Sequence, residues 1–261
     1  MFSERTLGDE LAAVRERHAP EALVLDCERD FETLPEADAE QLGLVVDSLD
    51  PISVPAEWVP PDAPDLLARY GSDAFVVGMP GDGGVTWTRQ TDPPVVIVKP
   101  RLADSPDPFV DFLLAEALVE VGSGDPEQFL LFFAERYPAF QDAASDLLDP
   151  AETYQVAAAC LDAYRGLGTR DVFAAWDGDL QALFDAWLDA GKRLEPRLAD
   201  LPRSLARGRT DFGDAAELAC NAVKHAGEIP APFDALDADA YREHGAAFAV
   251  EWIERTAEAL S

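Results

Sequence analysis

The spacing of apolar residues changes near residue 105 and divides the chain into two regions. Before that point, short apolar runs are bounded by proline, glycine and aspartate, which is typical of strands joined by turns. After Pro108, apolar residues recur every three to four positions, which is the period of an amphipathic helix. The pattern predicts an α+β fold, with a small antiparallel β-meander in the N-terminal half and a mainly helical C-terminal half.

Three apolar segments carry the predicted meander. Residues 75–79 and 85–89 flank a PGDGG turn, and residues 95–98 follow a TDPP turn. Glycine and proline at these corners provide the backbone angles that tight turns need. We therefore expect three antiparallel strands in sequence order.

The remaining elements are assigned from the same periodicities. A short buried strand is expected over residues 22–25. Helices are expected over residues 6–18, 35–49, 109–121, 129–133, 151–165, 177–198, 211–226 and 237–260. The segment 129–133 is apolar all round, so its helix should be central in the core. We expect residues 1–105 and 106–261 to pack together as one domain.

The charge of the chain is strongly negative. It has 51 Asp and Glu residues against 20 Lys and Arg, a net charge of −31. Disorder would require low hydrophobicity as well, but 48% of the residues are apolar, so a large core can be buried. The acids are spread along the whole sequence, so they indicate an acidic protein surface and not an acidic tail. At molar salt the Debye length falls to about 3 Å, and repulsion within such a surface is screened. The composition therefore indicates a halophilic protein.

The same residues bear on compartment and partners. No basic, apolar signal sequence or long apolar span is visible, so we expect a cytoplasmic protein that does not enter a membrane. The three cysteines, Cys27, Cys160 and Cys220, form no C-x-x-C pair and are interpreted as reduced core residues. A surface this acidic repels nucleic acid, so nucleic acid is not an expected partner.

Cations are scarce, which makes their positions informative. Arg89, Lys99 and Arg101 lie on or next to the predicted meander, where neighbouring strands can bring them together to bind a phosphate or carboxylate. The alternative is that each pairs with one of the abundant surface acids. The turn and Lys99 imitate a protein-kinase lobe, but the glycine spacing is wrong and no H-R-D or D-F-G motif is present.

A second candidate face lies on the helix expected over residues 211–226. Glu217, Asn221, Lys224 and His225 follow one side of that helix, so an acid, an amide, a cation and a base are neighbours. The structural alternative is that Lys224 pairs with an acid one turn away and that His225 complements the helix C-terminus. No metal site is expected, because the acids after the first strand do not exceed the background of such an acidic chain.

Several segments also resemble a known group of proteins. They are the opening MFSERTL, VLDCERDFETLP at 24–35, VGMPGDG at 77–83, PPV at 93–95 and KPR at 99–101. They resemble an uncharacterised protein family of haloarchaea, and the likeness extends over the full chain. The resemblance implies a cytosolic halophile protein and implies no activity or site residue.

None of the patterns considered above is a complete catalytic motif. We therefore expect a non-catalytic interaction or ligand-binding role, with a protein partner or an anionic small molecule. The alternative is a small-molecule enzyme that acts on an anionic substrate through Arg89, Lys99 and Arg101. The cofactor is unknown, and the oligomeric state is left open.

Overall fold

A computed structural model describes residues 2–61 and 63–260. The elements of the first part are β1 (Phe2–Glu4), α1 (Asp9–His18), β2 (Leu23–Cys27), α2 (Glu36–Leu42), β3 (Ser48–Leu49), α3 (Asp65–Tyr70), β4 (Val85–Thr88), β5 (Thr91–Asp92) and β6 (Val95–Val98). Those of the second part are α4 (Asp107–Ser123), α5 (Phe129–Phe133), α6 (Tyr137–Ala144), α7 (Pro150–Ala174), α8 (Gln181–Ala206), α9 (Phe212–Val223), α10 (Asp239–His244) and α11 (Ala246–Leu260). The predicted α+β class is confirmed. Among the described residues, no helix combines the length and apolarity needed to cross a membrane.

The chain forms two compact units, each assembled from separate stretches. Unit 1 comprises Met1–Ser53, Asp73–Glu127 and Phe173–Trp187, and unit 2 comprises Val54–Ser72, Gln128–Val172 and Leu188–Ser261. The expected packing of residues 1–105 and 106–261 as one domain stays a prediction.

Unit 1 contains a four-stranded mixed sheet in the order β1-β2-β6-β4. β2 runs parallel to β6, with Leu25 opposite Ile97, whereas β1 and β4 are antiparallel to their neighbours. β3 and β5 form a separate two-stranded sheet. The expected antiparallel meander is thus corrected: of its three predicted strands only β4 and β6 pair with each other, and β6 also pairs in parallel with β2, which comes far earlier in the chain.

The first strand of the predicted meander, residues 75–79, does not form. Gly78 has a φ of 96°, outside the extended region, and a Cβ there would lie 2.3 Å from the Glu32 carbonyl oxygen. The segment is held instead by isolated bonds, from the Leu34 amide to the Val77 carbonyl at 2.8 Å and from Gln90 Nε2 to the Val76 carbonyl at 2.8 Å. Val76, Val77 and Met79 are buried and Phe75 is partly buried, without strand pairing.

The mixed sheet of unit 1 is covered on both faces. Side chains alternate between the faces of a strand. One face carries a core cluster of Phe2, Leu25, Cys27, Phe31, Leu34, Leu42, Val46, Val77, Val95 and Ile97. α4 packs against β4 and β6, and α1 packs against α4. Trp87 joins these layers because its indole Nε1 donates to Glu120 Oε2 at 2.7 Å.

Unit 2 is helical and has an aromatic core. Phe129 and Phe133 of α5 are fully buried, which confirms the predicted central position of this apolar segment. Phe133 packs on Phe140 of α6 with ring centroids 4.6 Å apart. α11 packs along α6. The helix expected over residues 237–260 is two helices, α10 and α11, which meet at Gly245.

Candidate functional site

The three cations of the predicted anion site do not come together. Arg89 follows Thr88, which pairs with Val95, whereas Lys99 follows Val98, which pairs with Val85. They therefore leave opposite ends of the β4–β6 ladder, which is about 10 Å long at roughly 3.3 Å per residue. Arg89 is separated from the other two cations by the length of this ladder.

Arg89 is bound to the segment that follows α4. Its guanidinium donates to the backbone carbonyl of Asp125, and its backbone amide donates to Glu127 Oε2 at 2.7 Å. The guanidinium also lies 5.3 Å from the centroid of the Trp87 ring. These contacts hold residues 125–127 at the end of β4. The role they indicate for Arg89 is structural.

Arg101 is bound to the loop after β2. Its Nε donates to both carboxylate oxygens of Asp30, at 2.7 and 3.0 Å, and its Nη1 lies 2.8 Å from Glu32 Oε1. Its Nη2 donates to the Phe31 carbonyl at 3.2 Å. The hydrogen bond between Arg101 and Asp30 lowers the pKa of Asp30. The same hydrogen bond raises the pKa of Arg101. The guanidinium thus fixes the loop 30–32.

Lys99 differs from both arginines. Its side chain is 0% exposed, and its ammonium lies 4.9 Å from the centroid of the Phe31 ring. Within residues 2–61 and 63–260, Lys99 Nζ has no hydrogen-bond partner. Burial lowers the pKa of Lys99; the charge of Asp82 opposes this shift, and the nearby charge of Arg101 adds to it. The lysine is therefore a buried, incompletely satisfied cation beside a second cation.

The glycine-rich turn lies next to Lys99. The Lys99 amide donates to the Gly84 carbonyl at 2.8 Å. Asp82 closes the turn, because its Oδ2 accepts from the Met79 amide at 2.8 Å and from Thr86 Oγ1 at 2.6 Å. The carboxylate of Asp82 is thus held by hydrogen bonds from the turn and from the start of β4.

A crevice of about 290 Å³ opens at the carboxyl ends of the parallel strands β2 and β6. It is lined by Arg5, Asp26, Cys27, Val98, Lys99, Pro100, Leu102, Ala103, Ser105, Asp107 and Val110. The last two belong to the first turn of α4. In sheets that contain parallel strands, ligands bind outside the carboxyl ends of those strands.

Charges of both signs lie at this crevice. Arg5 Nη1 and Asp26 Oδ1 form an ion pair at 2.6 Å. One turn into α4, burial raises the pKa of Asp111, although Arg5 opposes the shift. The crevice can hold a small polar molecule. Sequence reasoning missed Arg5 and Asp107 as neighbours of Lys99, because no local pattern predicts that β2 and β6 are parallel partners.

The second candidate face lies at tight helix contacts in unit 2. Glu217 and Asn221 are half-buried on α9, where burial raises the pKa of Glu217 and the charges of Asp214 and Asp211 add to that shift. Lys224 caps the end of the helix; a Cβ on Gly166 of α7 would lie 3.0 Å from its amide nitrogen.

His225 follows at the same helix end. A Cβ on Gly191 of α8 would lie 3.1 Å from its Cβ. Lys224 and His225 thus pack where helices approach closely, and a ligand-binding role for this face stays a prediction. In the part of the chain that the structure describes, no group of three or more His, Cys, Asp or Glu side chains is placed to hold a metal ion.

Comparison with known proteins identifies a family. The sequence model of a family of unknown function, DUF7089, matches residues 1–260. The chain belongs to this family. No curated protein and no solved structure matches it. The full-length resemblance to an uncharacterised family is confirmed, and membership of DUF7089 brings no reaction or ligand, so function must be argued from the chemistry of the site.

Proposed function

We propose that this DUF7089 protein is a non-catalytic binding protein for a small anionic molecule, a phosphate or a carboxylate. Lys99, at the carboxyl end of β6, is the residue that binds it. One observation carries the proposal: the Lys99 ammonium is fully buried and has no hydrogen-bond partner among the residues that the structure describes.

Burying the Lys99 ammonium without hydrogen-bond partners is unfavourable. The ammonium carries three hydrogen-bond donors, and an ionised group buried without partners costs several kcal/mol. Oxygens of a phosphate or carboxylate would supply acceptors and the opposite charge together. Arg101 adds a second positive charge close to Lys99.

The acids near Lys99 are engaged elsewhere. Asp30 accepts from Arg101 Nε and from the Phe31 amide, and Asp82 accepts from the Met79 amide and from Thr86. These carboxylates favour the charged lysine through space without satisfying its donors. The adjoining crevice of about 290 Å³ has room for a small metabolite.

A thermal-shift screen in molar KCl tests the proposal, with inorganic phosphate and a panel of phosphorylated and carboxylate metabolites. A ligand should raise the melting temperature of the wild type. Lys99→Met should abolish the rise, and Lys192→Met, which alters an exposed lysine, should retain it. A flat response of the wild type across the panel would contradict the proposal and favour a protein partner.

The alternative function is a small-molecule enzyme that acts on an anionic substrate. Its supporting observation is that burial lowers the pKa of Lys99, since a lysine shifted in this way can serve as a base or nucleophile. Incubating each ligand from the screen with the protein and following it by NMR separates the two functions. Turnover that Lys99→Met abolishes would favour the enzyme.

We also propose that the protein works in the salt-rich cytosol of a halophile. The net charge of −31 supports this setting, because such a surface destabilises the folded state unless salt screens it. The melting temperature should rise steeply as KCl is raised from millimolar to molar concentration. The same charge disfavours nucleic acid as a partner.

A further inference from the structure

We infer that the solvent-facing side of α8 binds the same side of α8 in a second copy of this chain, with the two helices antiparallel. The contact surface lies in unit 2 and is called the α8 stripe; it consists of Asp189, Lys192, Pro196, Asp200 and Arg203. Lys99 lies in unit 1, so this inference is independent of the proposed ligand.

The α8 stripe follows one side of the helix. Its residues are three or four positions apart, and this spacing places them on one side of an α-helix over a length of about 21 Å. Four of the five residues are exposed, and the side chain of Asp200 is 39% exposed. Leu198 and Leu201 are buried on the other side of the helix, so the stripe faces solvent.

The order of charges along the α8 stripe is self-complementary. From Asp189 to Arg203 it reads negative, positive, neutral, negative, positive. When two stripes run antiparallel about Pro196, Asp189 of one copy lies opposite Arg203 of the other, and Lys192 lies opposite Asp200. Each pair occurs twice, because the arrangement has a two-fold axis. Parallel stripes in register would instead place like charges opposite each other.

Asp189 and Arg203 are accessible to a partner. Asp189 pairs with Arg193 at 2.6 Å, and Arg203 pairs with Asp200 at 3.0 Å. Both pairs lie at the surface, because the side chains of Asp189 and Arg203 are 59% and 67% exposed. A carboxylate has two oxygens and a guanidinium has several N–H donors, so each group can keep its present partner and also contact the second copy.

Lys192 is an exposed cation in a chain that has 51 acids against 20 cations. It forms no ion pair within the part of the chain that the structure describes. Its counterpart Asp200 accepts hydrogen bonds from three side chains of its own copy, so the pair of Asp189 and Arg203 should contribute most to the contact. Pro196 is exposed at the centre of the stripe, where its short ring lets the two helices approach.

The salt concentration affects whether two copies can approach. Each chain has a net charge of −31, so long-range repulsion opposes association at low salt. In molar salt the Debye length is about 3 Å, and this repulsion is screened while ion pairs in direct contact persist. Exposed ion pairs contribute little, so we expect weak association, at concentrations well above those of a thermal melt.

Sedimentation of the full chain in molar KCl, from the micromolar to the submillimolar range, tests the inference. The wild type should shift towards twice the mass of the chain as its concentration rises. Arg203→Glu and Asp189→Arg should each weaken self-association by about tenfold or more, because each substitution places like charges opposite each other. Arg255→Glu makes the matched change at an exposed arginine of α11 and should keep the wild-type behaviour.

A mixture of the two stripe variants tests the antiparallel arrangement itself. An equimolar mixture of Asp189→Arg and Arg203→Glu should associate, because a mixed pair again places opposite charges together at both ends of the stripe. Thermal melts in dilute solution check that both variants fold, which is expected because both positions are exposed.

A wild type that stays monomeric throughout, or a mixture that associates no more than its separate variants, would overturn the inference. Fluorescence anisotropy with labelled poly-L-glutamate and with a labelled DNA duplex tests other occupants of the α8 stripe. If the wild type remains monomeric and binds either probe in a way that Arg203→Glu abolishes, the stripe belongs to an acidic protein or to nucleic acid instead.

Discussion

Gln90 Nε2 donates to Glu127 Oε1 at 2.7 Å, and this contact joins the end of β4 to the segment that follows α4. Glu127 accepts two further bonds, from Thr88 Oγ1 at 2.5 Å and from the Arg89 amide at 2.7 Å. Gln90 Oε1 in turn accepts from the Ile52 amide at 3.1 Å. One buried carboxylate thus satisfies donors that no strand partner reaches.

Glu127→Ala should destabilise the protein by about 3 kcal/mol. The substitution leaves three donors without their shared acceptor, and each buried donor that loses its partner costs about 1–3 kcal/mol. Chemical denaturation in molar KCl measures the change. Glu40→Ala, at an exposed acid of α2, should stay within about 0.5 kcal/mol of the wild type. An equal effect of the two substitutions would mean that the Glu127 network contributes little.

Lys99→Met should raise stability at neutral pH, because it removes a buried ammonium while keeping a side chain of similar length. The advantage should shrink with rising pH. Burial lowers the pKa of Lys99 in the folded state, whereas the unfolded chain keeps a value of about 10.4. Between those two values the unfolded state binds more protons, so the wild type gains stability as pH rises.

Thermal melts of Lys99→Met and wild type in molar KCl, from about pH 6 to about pH 10, measure this convergence. Lys192→Met is the control and should follow the wild type throughout. If Lys99→Met were the less stable protein at neutral pH, the lysine would have partners that satisfy it.

Arg101→Gln should return the carboxyl of Asp30 towards its ordinary pKa of about 3.9. The hydrogen bond from Arg101 is the largest cause of the lowered value. A folded pKa below the unfolded one gives stability that is present above the unfolded value and is lost as pH falls through the folded one. An NMR titration of Asp30 in wild type and variant measures the shift; an unchanged midpoint would show that the pair does not persist in solution.

Gly122→Ala should destabilise unit 1 by about 1–3 kcal/mol, because overpacking displaces the neighbouring backbone. A Cβ at Gly122 of α4 would lie 2.1 Å from the carbonyl oxygen of His18, at the end of α1. Gly213→Ala makes the same change in α9, where the nearest atom would be Asp211 Oδ1 at 3.5 Å. That control should be neutral or stabilising by up to about 1 kcal/mol, since alanine favours helix. Thermal melts of the two variants compare them directly.

Local patterns predicted the elements better than their partners. Residues 95–98 were recognisable as a strand from their apolar run, and residues 129–133 as a core helix. The strand predicted over residues 75–79 was wrong, because the positive φ of Gly78 depends on the close approach of Glu32. The parallel pairing of β2 with β6 was not predicted, since an apolar run does not reveal which strand it will join.

The candidate site was also predictable in part: the sequence identified the residues but not their contacts. The scarcity of cations singled out Arg89, Lys99 and Arg101, but residue type does not distinguish a cation that holds a loop from one that is left without a partner. That difference depends on which acids the fold brings within hydrogen-bond distance, as it brings Asp30 to Arg101 and not to Lys99 Nζ.

The sequence alone determined the apolar content for a large core, the acidic surface, the α+β class and the position of most helices, because these follow from composition and local periodicity. Only the tertiary structure decided that Lys99 is a buried ammonium without a hydrogen-bond partner among the described residues, and that Asp30 reaches Arg101. Burial and contact between residues distant in the chain arise from packing, and packing is a property of the whole fold.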